Sequence, residues 1–488
     1  MAYVVRWVER QLADGVDDPH NYGRALDALF KGAAACASDV PAEAVEGLRA
    51  ALLRYTDNPL AMPFAGDRLE PHDLREIIQA FAELGFTAGD GEVRQRLGRF
   101  LDGMLHITQP DGCWEPGAVA ESGLRDPSFV DGESIAGTVP RVRGRMIMAL
   151  NHLYRLSGDD RALELAHRFV RLSRDRAFTP EGGLTVQAGT HTHSITGTVH
   201  GLADYGVLVG DLETLEHARR ILDLGLAPTC SSFGWSIENL GDERVPGRGE
   251  INNTGDMAQA AMIIGSAGYP AYFGKAERIL RSHLLPSQWL RGQEILAPVD
   301  APEKAVTSFP EDTDGGWGFP TPTDRHLPDP LFVSASILDV TQGGIQALWS
   351  ALRHASSRHG EDTRLNMFVP GAMAAAEVQG TLESPERLSV VLPNRGRLWV
   401  RRPEWLPWNQ LSLSADKAVP FKQIGDWAVT GPLEPGATIV VEAPQVHQAH
   451  EEWVYWQHYR MTFAGDTIVK MEPRGAYAPM FPPATARR

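Results

Sequence analysis

The chain has 488 residues, too many for one ordinary core, so two or three domains are expected. Its 43% hydrophobic and 22% charged content excludes a disordered chain, and no apolar run reaches the roughly 18 residues of a membrane span. Against 62 acidic residues stand 46 basic ones, and the net charge of −16 argues against nucleic-acid or membrane partners.

The N-terminal stretch MAYVVRWVERQLADG reads as an amphipathic helix with no basic leader and no small-residue cleavage site, so no signal peptide is expected. Cys36, Cys113 and Cys230 are far apart and form no Cys-x-x-Cys pair, which fits separate thiols in a reducing, cytoplasmic compartment. Neither a phosphate-binding loop nor a dinucleotide fingerprint occurs, so no cofactor is expected.

Most of the chain reads as helix hairpins. In RGRMIMALNHLYRLSGDDRALELAHRFVRLSRD, Met146, Leu150 and Leu153 share one helical face, Gly158-Asp159 breaks the helix, and Leu163, Ala166, Phe169 and Val170 make the next stripe. Further turns fall at Gly89-Asp90, Gly210-Asp211 and Gly268-Tyr269, about 50–70 residues apart. That spacing is too wide for the short helical repeats and suits a closed (α/α)6-type toroid, with function on the long inter-hairpin loops. Those loops are rich in Gly, Pro, Trp and acid, as in FGWSIENLGDERVPGRGEINNTGD and FPEDTDGGWGFPTPTD. Aromatic rings beside carboxylates suit a sugar site, and ordinary loop chemistry accounts for them equally well.

After about residue 365 the pattern alternates with period two. RLSVVLP, RLWVRRP, LSLSA, WAVTGPL, TIVVEAP, VYWQHYRMTF and DTIVKMEP are expected as short strands of an antiparallel β-sandwich. The expected division is therefore a helical domain at 1–365 and a β-sandwich at 366–488.

Between these features lies THTHSITGTVHGLADYGVLVGDLETLEHA, which opens on His191 and His193. One residue apart, the two rings would point to opposite sides of a strand, or about 200° apart on a helix, so they can share a ligand only if the loop is irregular. One of them is expected to meet sugar hydroxyls. His200, two helical turns on from His193, could line the same face.

This stretch resembles the histidine-bearing hairpin of glycoside hydrolase family 127, the bacterial β-L-arabinofuranosidase type. NNTGDMAQAAMIIGSAGYPAYFGKAERILRSHLLPSQ is similar to that family's Glu-x-Cys helix and the hairpin after it. GDWAVTGPLEPGATIVVEAP resembles a strand pair, and ILDVTQGGIQALWSAL lies where the family has a Cys-Cys helix start. The likeness covers roughly residues 140–445. It implies a toroid followed by a sandwich and an activity on glycosides. In the family a loop Glu is the acid/base, the Glu-x-Cys and Cys-Cys pairs hold zinc, and one cysteine is the nucleophile. Here Asn252 to Asp256 stand for the first pair and Asp339-Val340 for the second. The zinc-thiolate mechanism is therefore not expected to carry over, and no metal is expected.

A glycosidase without that thiolate needs two carboxyl groups, one protonated. Glu238 lies about sixteen residues ahead of the displaced pair, the family's separation for its acid/base, and Trp235 nearby could wall it from water. Glu238 is thus the expected acid, with Asp339 or Asp256 as base or nucleophile; an arginine partner for Glu238 and helix-capping roles for the two aspartates are the simpler alternatives. Asn252, Asp312, Asp314, Trp317 and Arg143 complete the expected substrate-binding set. Arg143 and Arg145 could grip a carboxylate, although a salt bridge is the plainer role. The run EDTDGG has part of a calcium-loop spacing but lacks the closing Glu. The expected function is a glycoside hydrolase acting on a small oligosaccharide or glycoside, alone or as a homodimer. The alternatives are an oligouronide lyase using His191, His193, Arg143 and Asn252, or a sugar-binding protein without catalysis.

Overall fold

The computed structural model describes all residues except 16–17, 66–67, 122–136, 242–246, 297–312, 327–335, 372–375, 382–385 and 482–488. Among the described residues thirteen α-helices come first: α1 Ala2–Asp14, α2 Pro19–Cys36, α3 Ala42–Tyr55, α4 Leu74–Ala82, α5 Gly91–Ile107, α6 Pro116–Glu121, α7 Arg145–Ser157, α8 Asp160–Arg176, α9 Thr192–Val209, α10 Leu212–Arg220, α11 Ile251–Ser266, α12 Ala271–Ile279 and α13 Leu338–His354. Each Gly-Asp dipeptide singled out above does two jobs. Gly158 (φ 67°) and Gly210 (φ 73°) end α7 and α9 in the left-handed conformation, and Asp159 and Asp211 then cap α8 and α10, accepting from Arg161 N and Thr214 N.

Six helices close a ring, because α2 packs on α4, α4 on α7, α7 on α9, α9 on α11, α11 on α13 and α13 on α2. The helices α3, α5, α8, α10 and α12 pack outside their partners, which makes the expected toroid. The inner helices α9 and α11 are buried on nearly every face, so their polar residues are enclosed. The helices α11 and α13 approach closely, and a Cβ on Gly343 would stand 2.2 Å from Asn252 Oδ1. Gly343→Ala is expected to cost about 1–3 kcal/mol by overpacking. Thermal denaturation of the variant would measure that loss.

The fourteen strands among the described residues include a small hairpin, β1 Phe64–Ala65 with β2 Arg68–Leu69. The remainder follow the helices: β3 Ser356–His359, β4 Asp362–Leu365, β5 Glu377–Thr381, β6 Glu386–Val391, β7 Leu398–Arg401, β8 Ser412–Ser414, β9 Phe421–Ile424, β10 Trp427–Thr430, β11 Thr438–Ala443, β12 His447–Val454, β13 Gln457–Ala464 and β14 Thr467–Glu472. The sheets β3-β4-β7-β10-β9 and β5-β6-β11-β8 enclose a shared core of Leu365, Leu388, Val390, Leu398, Val400 and Val441. Pairing is antiparallel throughout except between β4 and β7. VYWQHYRMTF is not one strand: Tyr455-Trp456 is a hairpin turn, with Tyr455 at φ 54°. The resulting sheet β12-β13-β14 packs on Phe233, Trp235 and Ile237 of the helical part. No helix among the described residues is long and apolar enough to cross a membrane.

Candidate active site

Ionisable side chains from α2, α4, α7, α9, α11 and α13 meet at one end of the ring. At their centre Glu76 is fully buried, and its Oε1 accepts from Arg75 Nε at 2.8 Å and Arg145 Nη2 at 2.9 Å, with Arg24 Nη2 at 3.3 Å. Burial opposes the charge on Glu76, but Arg75, His20, Arg145 and Arg24 outweigh it and hold the carboxyl well below the usual carboxylate range.

Arg24 bridges to α13. Its Nε lies 2.8 Å from Asp339 Oδ1 and its Nη1 donates to the Asp339 main-chain oxygen at 2.7 Å. His20 Nε2 is 3.4 Å from the same carboxylate, while His20 Nδ1 is 3.4 Å from Asp73. Burial would discharge His20, but Glu76, Asp339 and Asp73 push it up to about 9. Asp339, half-buried, is held ionised well below its ordinary value by Arg24 and His20 against the effect of burial.

Glu250 precedes α11 and is in the opposite state. Burial first, then the charges of Asp339 and Glu238, push its carboxyl up to about 8. Asn252 Nδ2 donates to Glu250 Oε1 at 2.7 Å, and His193 Nδ1 lies 3.2 Å from that oxygen. Arg75 Nη1 meets His193 Nε2 at 3.3 Å. A guanidinium can only donate, so the imidazole proton belongs on Nδ1, toward Glu250. His191 Nε2 stands 3.8 Å from Glu250 Oε2. Burial, then Arg145 and Arg141, lower His191 to about 3, and burial with Arg145, Arg75 and Arg24 lowers His193 well below its usual value.

The two histidines therefore do converge, with ring centroids 5.9 Å apart. His191 is the extended N-cap residue of α9 (φ −78°, ψ 101°) and His193 lies in its first turn, a break in regularity that lets both rings face Glu250. Asp256 lies behind them: Thr196 Oγ1 donates to it at 3.1 Å, and His193 and His200 lie 3.7 and 3.5 Å away.

Of the other expected residues, Glu238 borders the site, its main-chain oxygen accepting from Thr192 N at 2.9 Å, but its carboxylate is turned to another partner. Glu238 is ion-paired to Arg248, whose guanidinium lies over the Phe319 ring at 5.3 Å. Trp235 does not wall Glu238. Phe233, Trp235 and Ile237 alternate onto the β12-β13-β14 sheet, which puts Glu238 on the opposite face, and the Trp235 indole donates to Pro320 O at 3.0 Å. Trp317 is buried and donates to Leu284 O at 2.9 Å. Asp314 Oδ1 accepts from Arg291 N at 3.1 Å. Arg143 is buried beneath the Trp114 ring at 4.9 Å. Asp312 lies outside the described residues.

Glu250, His20, Arg24, Arg75 and Glu76 were not in the expected set. Their signal is charge in the inner helices, as in PHNYGRALD and PHDLREIIQA, at positions where a toroid leaves no solvent. Glu250-Ile251-Asn252 also has the Glu-x-Cys spacing with Asn for Cys, two residues earlier than the match drawn above.

A thiolate zinc site does not fit. Cys36 is exposed, Cys113 is buried elsewhere, and Cys230 Sγ donates to Leu226 O. His191, His193 and Glu250 do bring three potential ligand atoms within 4.8 Å of one another, as do His20, His72 and Asp73. The arginines that depress the histidines would also repel a divalent cation at the first cluster.

No protein-family model matches the chain, and no curated protein matches it in sequence. Solved structures do. A glycoside hydrolase family 127 β-arabinofuranosidase aligns over 92% of this chain and 74% of its own, with a TM-score of 0.64 and 12% identity. A family 127 β-L-arabinofuranosidase from Geobacillus stearothermophilus aligns over 91% and 75%, with a TM-score of 0.59 and 11% identity. The chain is similar in fold to glycoside hydrolases of family 127. A further structure titled only as a glycoside hydrolase covers 92% of this chain and 77% of its own, with a TM-score of 0.56 and 12% identity. At these identities the likeness is one of fold.

Proposed function

We propose that the chain is a glycoside hydrolase in which Glu250 donates a proton to the leaving oxygen and Asp339 is the ionised partner. The observation that carries this reading is two carboxyl groups of one site held in opposite states, Glu250 raised to about 8 and Asp339 well below its ordinary value. That split is what glycoside cleavage at neutral pH requires. Glu238, the acid expected from the sequence, is instead ion-paired to Arg248. Asp339 acts as nucleophile or as the base for water, and Arg24 and His20 orient it. His193 and Asn252 orient Glu250, and Arg75, which donates to His193 Nε2, positions the imidazole.

A lyase would need a base to remove a proton beside a carboxylate, and an imidazole lowered to about 3 is poorly matched to that task. The test is a panel of aryl glycosides offered to the wild type and to Asp339→Asn. We expect one class of glycoside to be hydrolysed and the variant to lose roughly 10²–10⁴-fold in kcat/KM. Unimpaired turnover by Asp339→Asn, or an unsaturated uronate as product, would overturn the reading.

A further inference from the structure

Three arginines alternate along the wide turn Val139–Gly144 and into α7, and each has a different fate. Arg143 lies under Trp114, and Arg145 binds Glu76. Arg141 is exposed, and its guanidinium makes no hydrogen bond or ion pair among the described residues. It lines a cavity of about 550 Å³ together with Glu70, His72, Thr138, His191 and Asn239. His191 is the residue beside Glu250, so this cavity adjoins the proposed proton donor.

The cavity wall is set up for negative charge. His72 and His191 are both held neutral, by burial first and then by Arg145 as the strongest nearby charge; His20 adds to this at His72 and Arg141 at His191. Arg145 does not itself line the cavity; it is 1% exposed, and its Nε and Nη1 have no hydrogen-bond partner among the described residues. Among the described lining residues Glu70 is the single acid. Beside a neutral sugar, water would remain the partner of the exposed Arg141 guanidinium. A carboxylate would accept two parallel N–H bonds from the guanidinium fork.

We propose that the cavity binds a glycosyl unit bearing a carboxylate, and that Arg141 clamps that group. The proposal rests on the hydrolase reading for the sugar, and it adds the charge of the substrate.

The test compares matched pairs of methyl glycosides that differ only at C6, uronide against neutral hexoside, in gluco and galacto forms. Binding is followed by NMR titration of the full chain, the wild type against Arg141→Gln and Arg141→Lys. In at least one pair the uronide is expected to bind about tenfold more tightly, the difference between charged and neutral hydrogen bonding. Arg141→Gln should bring that pair to parity, and Arg141→Lys should restore part of the preference. Equal binding within every pair, binding by no member, or a preference that survives in Arg141→Gln would each overturn the proposal. Binding needs no turnover, so the two readings fail separately. A uronide preference without hydrolysis would sink the hydrolase and leave this inference standing, whereas hydrolysis of neutral glycosides without the preference would do the reverse.

Discussion

Glu250→Gln is expected to lower kcat by about 10²–10⁴-fold on any glycoside the wild type cleaves, with the helical fold retained. The amide keeps the size of the carboxyl and can still meet Asn252 and His193, but it has no acidic proton to give. The pH profile should change with it. Glu250 holds its proton up to about 8, so wild-type activity is expected to fall as the pH rises through that value, and the variant should lack this alkaline limb. Stability follows the same group. An unfolded Glu ionises from about 4.5 upward while the folded one stays neutral to about 8, so stability declines with rising pH across that window. Denaturation midpoints at several pH values should show a shallower decline in Glu250→Gln. If the variant keeps the wild-type rate and alkaline limb, the proton comes from another group.

Glu76→Gln is expected to be the most destabilising of the conservative changes, at about 3–5 kcal/mol. Glu76 is buried with Arg75, Arg145 and Arg24 converging on it, and the amide would leave three guanidinium groups without their central counter-charge. The folded pKa of Glu76 is depressed, so its contribution is present above about pH 4.5 and is lost as acid titrates the folded group. Urea unfolding at neutral pH would show the loss as a lower midpoint, and the variant should respond less than the wild type to acidification. An unchanged midpoint would mean that Asp339 and solvent already neutralise the arginines. Because Arg24 also holds Asp339, the variant should lose activity even where it remains folded.

The helix hairpins were legible because their signals are local. Gly-Asp at Gly158 and Gly210 terminates one helix and caps the next within two residues, and the apolar spacing on either side needs no distant partner. Most strands were legible for the same reason. Tyr455-Trp456 reads as strand interior from sequence because two aromatic residues normally favour a strand, and only the pairing of Val454 with Gln457 shows the turn. His191 and His193 marked the right end of the toroid, but their convergence depended on where α9 begins, a boundary of one residue.

By itself the sequence determined the toroid, the strands after it and the wide separation of Cys36, Cys113 and Cys230, all of which rest on spacing along the chain. Only the tertiary structure decided which acids matter. Glu76 lies in α4, Asp339 in α13 and Glu250 just ahead of α11, and the protonation state of each depends on burial and on charged groups far away in sequence. Glu238 and Glu250 look alike as loop acids; one faces Arg248, while the other is buried beside a second carboxylate. Electrostatic free energy depends on distance and on exclusion of water, and neither can be read from position in the chain.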